Sequence, residues 1–240
     1  MSMVDIKDKH VKIAENALKA YETGLSRYWD AKTQNGKRRN YAQAFLNEGI
    51  NMELLRHGQT LKPTGDNRRM FRYVKNIGEE PIDLYKLQQE YNIVFDLSEV
   101  THMGEMFESA EIENAGIIDI SATLQDSAKY NIYFLFAYSK IKRIEKFIVS
   151  ETSCEFYSTF FRADYLEHCI FEGTIAKNGL SFTTANKLDY ESLISVIDCL
   201  KDYSEDTSGT VWKVSFGPTN LNKLTTEDKE RIEVKGWTYA

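Results

Sequence analysis

Hydrophobic positions recur in a degenerate repeat through the middle of the chain. Each copy has a short apolar segment anchored on phenylalanine, a few polar residues, and then a run of β-branched or aromatic residues. The apolar segment predicts a short helical turn, and the run predicts a strand in 93–97, 116–120, 147–149 and 169–171. The anchors are Phe71, Phe107, Phe136 and Phe161, so the gaps are 36, 29 and 25 residues. A unit this short cannot bury its own apolar face, so units are expected to stack and share a core as a solenoid.

The predicted strands carry acidic side chains at matching positions. The run from Phe95 to Ser98 aligns with the run from Ile118 to Ser121, 23 positions later. Because side chains alternate between the two faces of a strand, Asp96 and Asp119 should stand in one row on the exposed face, with Glu172 continuing it. The row is a candidate binding site for a basic partner or, through water, a cation. The alternative is that surface strands carry acidic residues for solubility and edge protection.

The first segment predicts one long helix from about Asp5 to Lys32. Its apolar residues follow the 3.5-residue spacing of a coiled-coil seam, which makes this helix a candidate oligomer interface. A helix packed on its own domain would give a similar stripe, and Gly24 lies inside it. The seam consists of Val11, Ala14, Leu18, Tyr21, Leu25 and Tyr28.

The C-terminal segment predicts a cap for the stack. Asp189 is placed to cap a helix with an apolar face through Leu200, and residues 211–216 alternate as a strand. A short helix beginning at Thr225 or Thr226 and a strand at 237–239 complete a βαβ unit, whose strands should be parallel. We expect this unit to extend the parallel sheet and cover its open edge.

Charge is distributed unevenly along the chain. The formal net charge is −6, yet residues 1–76 hold 15 Lys and Arg against 8 Asp and Glu, while residues 77–240 hold 15 against 28. The total argues against a nucleic-acid-binding protein. Basic clusters at 37–39 and at Arg68, Arg69 and Arg72 favour docking on an acidic neighbouring subunit.

Neither a cofactor motif nor a metal motif is found, and an enzyme is not predicted. The four histidines are scattered without metal-ligand spacing, and Cys169 lies in an apolar run that suits a buried thiol. The N-terminal residues lack the apolar region of a signal peptide. The longest apolar stretch, 132–138, is far shorter than the roughly 20 residues of a membrane span. The expected class is a protein made in a reducing cytoplasm, without a membrane span.

Three stretches of this sequence resemble a family of phage- and prophage-encoded proteins of Gram-positive hosts with leucine-rich repeats of the BspA-like type. The first combines the aromatic-Trp-Asp group at 28–30 with the Asn-Gly-x-Arg turn at 35–38, and the second is the Met-Phe or Leu-Phe repeat core. The third, which is the most specific, comprises 188–203, 219–225 and 235–240. The repeats are few and irregularly spaced for this family.

The resemblance implies an α/β fold: a short irregular leucine-rich-repeat-like solenoid with a parallel sheet and a C-terminal βαβ cap, preceded by a long N-terminal helix. The implied domains are an assembly segment at 1–69 and a repeat domain at 70–240, whose cap is 188–240. The implied function is that of a non-enzymatic virion structural protein of the tail or baseplate, which forms a homo-oligomer and contacts other virion subunits or the host surface. The alternative is a phage-encoded cytoplasmic binding module that inhibits a host factor.

Overall fold

The computed structural model describes residues 49–50, 60–61, 64–66, 68–90, 94–95, 97, 99–121, 132–151 and 156–240. These residues form a mixed α/β fold with a curled parallel sheet and four helices. None of these four helices is long and apolar enough to cross a membrane. The helices are α1 (Leu84–Glu90), α2 (Tyr190–Cys199), α3 (Pro218–Leu221) and α4 (Thr226–Val234). The strands are β1 (Gly49–Ile50), β2 (Thr60–Leu61), β3 (Thr64–Asp66), β4 (Lys75–Asn76), β5 (Ile82–Asp83), β6 (Val94–Phe95), β7 (Glu99–His102), β8 (Ile112–Asn114), β9 (Ile117–Asp119), β10 (Arg143–Val149), β11 (His168–Gly173), β12 (Trp212–Val214) and β13 (Trp237–Tyr239).

The five-stranded sheet is built from strands of successive repeat units. Its order is β11, β10, β8, β5, with β9 also paired to β10, and every pairing is parallel. Strands β8 and β9 lie along the same side of β10 and are separated by a break that contains Gly116. Gly116 has a φ of +71°, and a Cβ there would lie 2.2 Å from Oε1 of Gln88 and 3.0 Å from the backbone nitrogen of Tyr85. Glycine is therefore required for the chain to pass this close to α1.

Three further parallel pairs precede this sheet. Strand β1 pairs with β4, β2 with β6, and β3 with β7. Residues between 49 and 66 are thus paired with residues between 75 and 102, on the other side of the expected domain boundary at residue 70. The division into 1–69 and 70–240 stays a prediction, since most of the first segment lies outside the described residues.

The anchors of the repeat lie in four six-residue turn segments, 68–73, 104–109, 133–138 and 157–162, which we call the turn stack. Each segment is a succession of i→i+3 turns: the backbone N–H of Leu135 donates to the carbonyl of Ile132, that of Ala137 to Phe134, and that of Ser139 to Phe136. The first and third of these turns have a positive φ at their third residue, as type II turns require. Because an α-helix needs negative φ throughout, the predicted short helical turn is wrong at these sites. The positive-φ residues, four apart within each segment, are Arg69 and Tyr73, Glu105 and Ser109, Phe134 and Tyr138, and Ser158 and Arg162.

Successive turn segments are joined by a ladder of backbone hydrogen bonds. Alternate N–H groups of one segment donate to alternate carbonyls of the next, with donor–acceptor distances between 2.8 and 3.2 Å. The ladder holds the turn stack in register on the side of the units away from the sheet. Its donor and acceptor pairs include 69 to 104, 71 to 106, 73 to 108, 105 to 133, 107 to 135, 109 to 137, 136 to 159 and 138 to 161.

A column of six phenylalanine rings fills the core between the turn stack and the strands. Phe71, Phe107, Phe136, Phe160, Phe182 and Phe216 follow one another with ring centroids 5.3, 5.4, 5.4, 4.9 and 6.3 Å apart. The angles between neighbouring ring planes range from 6° to 34°, so the rings are stacked or slightly tilted. Each ring is buried, and Phe136 and Phe160 also contact Phe147 of β10 edge to face. This phenylalanine column is the shared burial that the repeat predicts, extended by two members that the repeat did not reveal.

The fourth anchor differs from the prediction. Phe160 lies in the column and is fully buried, whereas Phe161, the predicted anchor, is 40% exposed. The two side chains point in different directions from the turn succession, and the ring of Phe160 is the one that faces the core. The gap from Phe136 to the fourth anchor is therefore 24 residues.

Side chains of two helices seal the edges of the five-stranded sheet. The backbone N–H groups of Cys169 and Phe171 in β11 donate to the hydroxyls of Ser192 and Ser195 in α2, at 2.8 and 3.0 Å. At β9, the side-chain amide of Gln88 accepts from the N–H of Ile117 and donates to its carbonyl, at 2.8 and 2.9 Å. An open parallel edge would present unpaired backbone groups to water or to another chain, and these side chains take the place of a neighbouring strand.

The C-terminal βαβ unit is confirmed, with β12 and β13 parallel and α4 between them. Asp189 caps α2, as predicted, and Thr225 with Asp228 forms a capping box at α4. The expectation that this unit extends the five-stranded sheet is wrong: β12 pairs with β13 in a separate sheet, because α2 occupies the edge of β11. The unit joins the stack through a parallel bridge between Ser181 and Ser215.

The two adjacent phenylalanines provide a matched test of the column. We predict that Phe160→Ala lowers the free energy of unfolding by about 3–5 kcal/mol, because it leaves a cavity between Phe136 and Phe182. Phe161→Ala should lower it by about 1 kcal/mol or less, since its ring is partly exposed. Urea unfolding of both variants measures the difference, and equal losses would contradict the assignment of Phe160 to the column.

Candidate binding surface

The outer face of the turn stack is charged in its first two segments. Arg69 Nε lies 2.7 Å from Glu105 Oε2, Arg72 Nη1 lies 2.8 Å from the same oxygen, and Arg72 Nε lies 2.7 Å from Glu108 Oε2. Burial raises the pKa of Glu108, and the neighbouring Glu105 adds to this. Partial burial opposes ionisation of Glu105 as well, but its contacts with Arg69 and Arg72 outweigh burial and lower its pKa. Arg69 and Arg72 are thus neutralised within the chain, so the expected docking of these two arginines on an acidic neighbour is not supported.

The corresponding outer face of the last two segments is aromatic. The rings of Tyr133 and Phe134 are 4.1 Å apart, those of Phe134 and Phe161 6.0 Å, and those of Tyr138 and Phe161 5.4 Å, all edge to face. These contacts fix the rings against one another although most of them are strongly exposed to solvent. Because a large exposed aromatic surface is a common mark of a binding site, we treat it as one candidate. We define the aromatic patch as these four rings together with two exposed tyrosines of the same part of the chain, Tyr157 and Tyr165. The exposed fractions of the four tyrosines and of Phe161 range from 40% to 53%.

Two members of the aromatic patch occupy strained backbone positions. Phe134 and Tyr138 have φ values of +58° and +56°, in the left-handed region. A bulky side chain there costs about 1–2 kcal/mol relative to ordinary backbone, and glycine would avoid this cost. The equivalent positions of the other segments also hold residues other than glycine, so the backbone does not require an aromatic ring at either position.

A polar pocket lies next to the aromatic patch. It is an open depression of about 500 Å³ lined by Arg143, Glu167, His168, Lys187 and Asp189. The chain from Phe161 to His168 leads from the patch into the pocket. The two are also joined by Lys187, whose Nζ lies 5.3 Å from the ring centroid of Tyr165.

The cap of α2 positions the histidine of the polar pocket. Nδ1 of His168 lies 2.6 Å from Oδ2 of Asp189, whose Oδ1 accepts from the N–H and the hydroxyl of Ser192. Because a carboxylate only accepts, Nδ1 carries the proton, and Nε2 is the nitrogen that can exchange hydrogen bonds with a ligand. Burial opposes ionisation of Asp189, but the hydrogen bonds from Ser192 and His168 outweigh it and lower the pKa of its carboxyl.

A row of polar residues crosses the sheet at the level of His168. Asp83 is in register with Asn114, Asn114 with Arg143, and Arg143 with His168. Nε of Arg143 donates to Oε1 of Glu145 at 2.9 Å, and this hydrogen bond lowers the pKa of Glu145. Burial raises the pKa of Asp83 at the far end of the row. The hydrogen bond to Glu145 holds the side chain of Arg143, which lines the pocket.

The predicted acidic row is only partly within the described residues. Asp119 of β9 and Glu172 of β11 are both in register with Ile148 of β10. One residue of the central strand therefore lies between them. Oε1 of Glu172 lies 2.6 Å from Nζ of Lys146, and Oδ1 of Asp119 accepts from the N–H of Ser121 at 2.9 Å. Asp96 lies outside the described residues, and a binding role for these three residues stays a prediction.

The predicted oligomer seam also lies outside the described residues. All residues of the seam precede residue 49, so its role as an oligomer interface stays a prediction. They are Val11, Ala14, Leu18, Tyr21, Leu25 and Tyr28.

Cys169 is a buried thiol, and burial raises its pKa well above the ordinary value. In the described part of the chain, no group of three or more His, Cys, Asp and Glu side chains is placed to hold a metal ion.

The aromatic patch was missed from the sequence, although a signal for it was present. Tyr133, Tyr138, Tyr157 and Tyr165 lie beside buried anchors, where a polar side chain is the usual choice. His168 and Asp189 stand 21 residues apart, and only the packing of α2 on β11 brings them together.

Comparison with protein-family models, with curated proteins and with solved structures finds no match to this chain. The resemblance to the phage leucine-rich-repeat family therefore rests on the sequence stretches quoted for it. The aromatic patch and the polar pocket remain the features from which function is argued.

The lowered pKa of Asp189 leads to a prediction on stability and pH. A carboxyl whose pKa is lower in the folded state stabilises the fold above its unfolded pKa of about 4, and this contribution is lost as the pH falls through the folded pKa. Asp189→Asn keeps a capping side chain but loses the ionised partner of His168, so it should be less stable than wild type at neutral pH by about 1 kcal/mol. Urea unfolding should show this gap closing as the pH falls below the unfolded pKa of about 4.

Asp164→Asn serves as the control, because Asp164 is exposed and its ion pair, 3.3 Å from Nε of Arg162, is with a side chain that is exposed as well. Its stability should stay close to wild type at both pH values. A gap for Asp189→Asn that is independent of pH would contradict the role given to its charge.

Proposed function

We propose that this chain is a non-enzymatic structural protein of a phage virion, associated with the tail or baseplate, and that its units form a leucine-rich-repeat-like solenoid. The phenylalanine column and the uniformly parallel pairing support the solenoid, because both are shared between successive units. The virion assignment is supported by the sequence resemblance. The long N-terminal helix belongs to the same proposal.

The observation that carries a binding role is the aromatic patch on the rigid turn stack. A binding surface works best when its anchoring side chains are held in place before the partner arrives. Here the ladder fixes the backbone, and the edge-to-face contacts among Phe134, Tyr138 and Phe161 fix the rings. This surface would face another virion subunit or a component of the host surface.

The geometry of the polar pocket does not fit a hydrolase that uses His168 and Asp189 as catalytic residues. The hydroxyl nearest to it belongs to Ser192, which donates to Asp189 and accepts from the N–H of Cys169. A nucleophile would need a hydroxyl that is directed to the histidine and open to substrate. The arrangement instead fits a structural link between β11 and α2 that also presents polar groups to a ligand.

Assembly through the N-terminal helix is tested by charge substitution in its seam. Leu18→Asp with Leu25→Asp should convert an oligomer into a monomer, because buried carboxylates would face each other across the seam. Light scattering of the full chain measures the mass. Lys19→Asp, beside the seam, is the control and should leave the mass unchanged. An unchanged mass for the double variant would remove the assembly proposal.

Virion association is tested by mass spectrometry of purified particles. We expect peptides of this chain in particles, in amounts comparable to other tail proteins. Particles prepared from a phage whose copy of the gene is deleted provide the control for contamination. Absence of the chain from particles, together with its presence in infected cytoplasm, would contradict the proposal and favour the inhibitor of a host factor.

A further inference from the structure

We infer that the aromatic patch and the polar pocket together form a binding site for a neutral oligosaccharide chain. This inference deepens the proposed binding role and rests on it. The proposed binding role leaves the ligand of the aromatic patch unspecified, and here the ligand is assigned to a chemical class. Its basis is the combination of exposed rings and balanced polar groups along one stretch of chain.

The rings supply the apolar part of the site. The C–H groups of a sugar ring carry partial positive charge, and an aromatic face carries partial negative charge, so the two attract in addition to excluding water. Tyr138 is 48% exposed, Phe161 40% and Tyr165 46%, which leaves area for a ligand on each. The hydroxyl at the tip of each tyrosine adds a group that donates and accepts.

The polar pocket supplies hydrogen-bonding groups of both kinds. Arg143 and Lys187 are donors, Glu167 and Asp189 are acceptors, and His168 completes the lining. The two basic side chains balance the two acidic ones. A cation or an anion would meet a like charge in this pocket, whereas a sugar hydroxyl can donate to one wall and accept from the other.

Of the two partners that the proposed function allows at this surface, the same lining argues against a protein subunit. The centre of a protein interface is depleted in charged residues, while the pocket at the end of the aromatic patch is lined by five ionisable side chains. A chain of sugar rings can place one ring on the patch and the hydroxyls of the next in the pocket. The continuous segment from Phe161 to His168 connects the two parts.

The test uses the full chain and an immobilised panel of purified neutral oligosaccharides, namely oligomers of glucose, galactose, mannose and N-acetylhexosamine. Polyglutamate and polylysine serve as charged comparators. We expect retention by at least one neutral oligosaccharide, with an affinity that added salt does not weaken. Retention by the charged polymers alone, or by no member of the panel, would overturn the inference.

Tyr138→Gly is the decisive variant. It removes a ring of the aromatic patch at a backbone position with φ of +56°, where glycine is unstrained, so the fold should not suffer. Binding to the retained oligosaccharide should weaken about tenfold. Ser158→Gly makes the same backbone change at φ of +57° without removing a ring, and it should bind like wild type.

Lys187→Met tests the pocket in the same titration, since it keeps the length of the side chain and removes the donor. A similar weakening is expected, and equal binding by wild type, Tyr138→Gly and Lys187→Met would overturn the inference. The outcome is separable from the virion test. A chain that is found in particles but binds no sugar keeps the proposed function, and one that binds sugar but is absent from particles keeps this site.

Discussion

The phenylalanine column is the interaction on which the rest of the structure depends. Each unit contributes one ring, and each of the four inner rings is packed between the ring before it and the ring after it, with centroid distances along the column from 4.9 to 6.3 Å. A single unit would leave its ring exposed on two sides, so folding free energy accrues between units rather than within them. The turn stack can therefore hold eight non-glycine residues at positive φ, because the column and the ladder together fix a backbone that is locally unfavourable.

A stack of parallel strands also needs closed edges, and here side chains close them. Ser192 and Ser195 stand one helical turn apart on α2, which is the spacing that lets two hydroxyls reach alternate N–H groups of β11. Gln88 does the same for both backbone groups of Ile117. A helix is thus sufficient to end the sheet, and the βαβ unit is free to form its own small sheet beyond it.

Local patterns in the sequence predicted the repeat, the strands within it, the Asp189 cap and the C-terminal βαβ unit, because each depends on neighbouring residues. The choice between Phe160 and Phe161 could not be predicted in that way. Both are phenylalanine, and the direction of each side chain is set by the succession of turns, which has no simple hydrophobic period. The edge contacts of Ser192 and the pairing of His168 with Asp189 depend on how α2 packs, and a sequence pattern does not encode that packing. The aromatic patch could not be predicted for a related reason, since a tyrosine next to a buried residue in the sequence looks like a further core residue.

In the turn stack, the residues at inner positions stabilise the protein and those at outer positions form its surface. The inner positions are apolar apart from the buried Thr159, while the outer positions include Arg69, Arg72, Glu105 and Glu108 in the first two segments and several aromatic rings in the last two. Such a change of surface without a change of backbone indicates that the outer positions are not constrained by the core. At Phe134 and Tyr138 the backbone favours glycine, and the equivalent positions of other segments hold Arg69, Glu105 and Ser158, so neither the core nor the backbone requires an aromatic ring there. The rings pack on one another at the surface, and this surface is the one on which the proposed binding role rests.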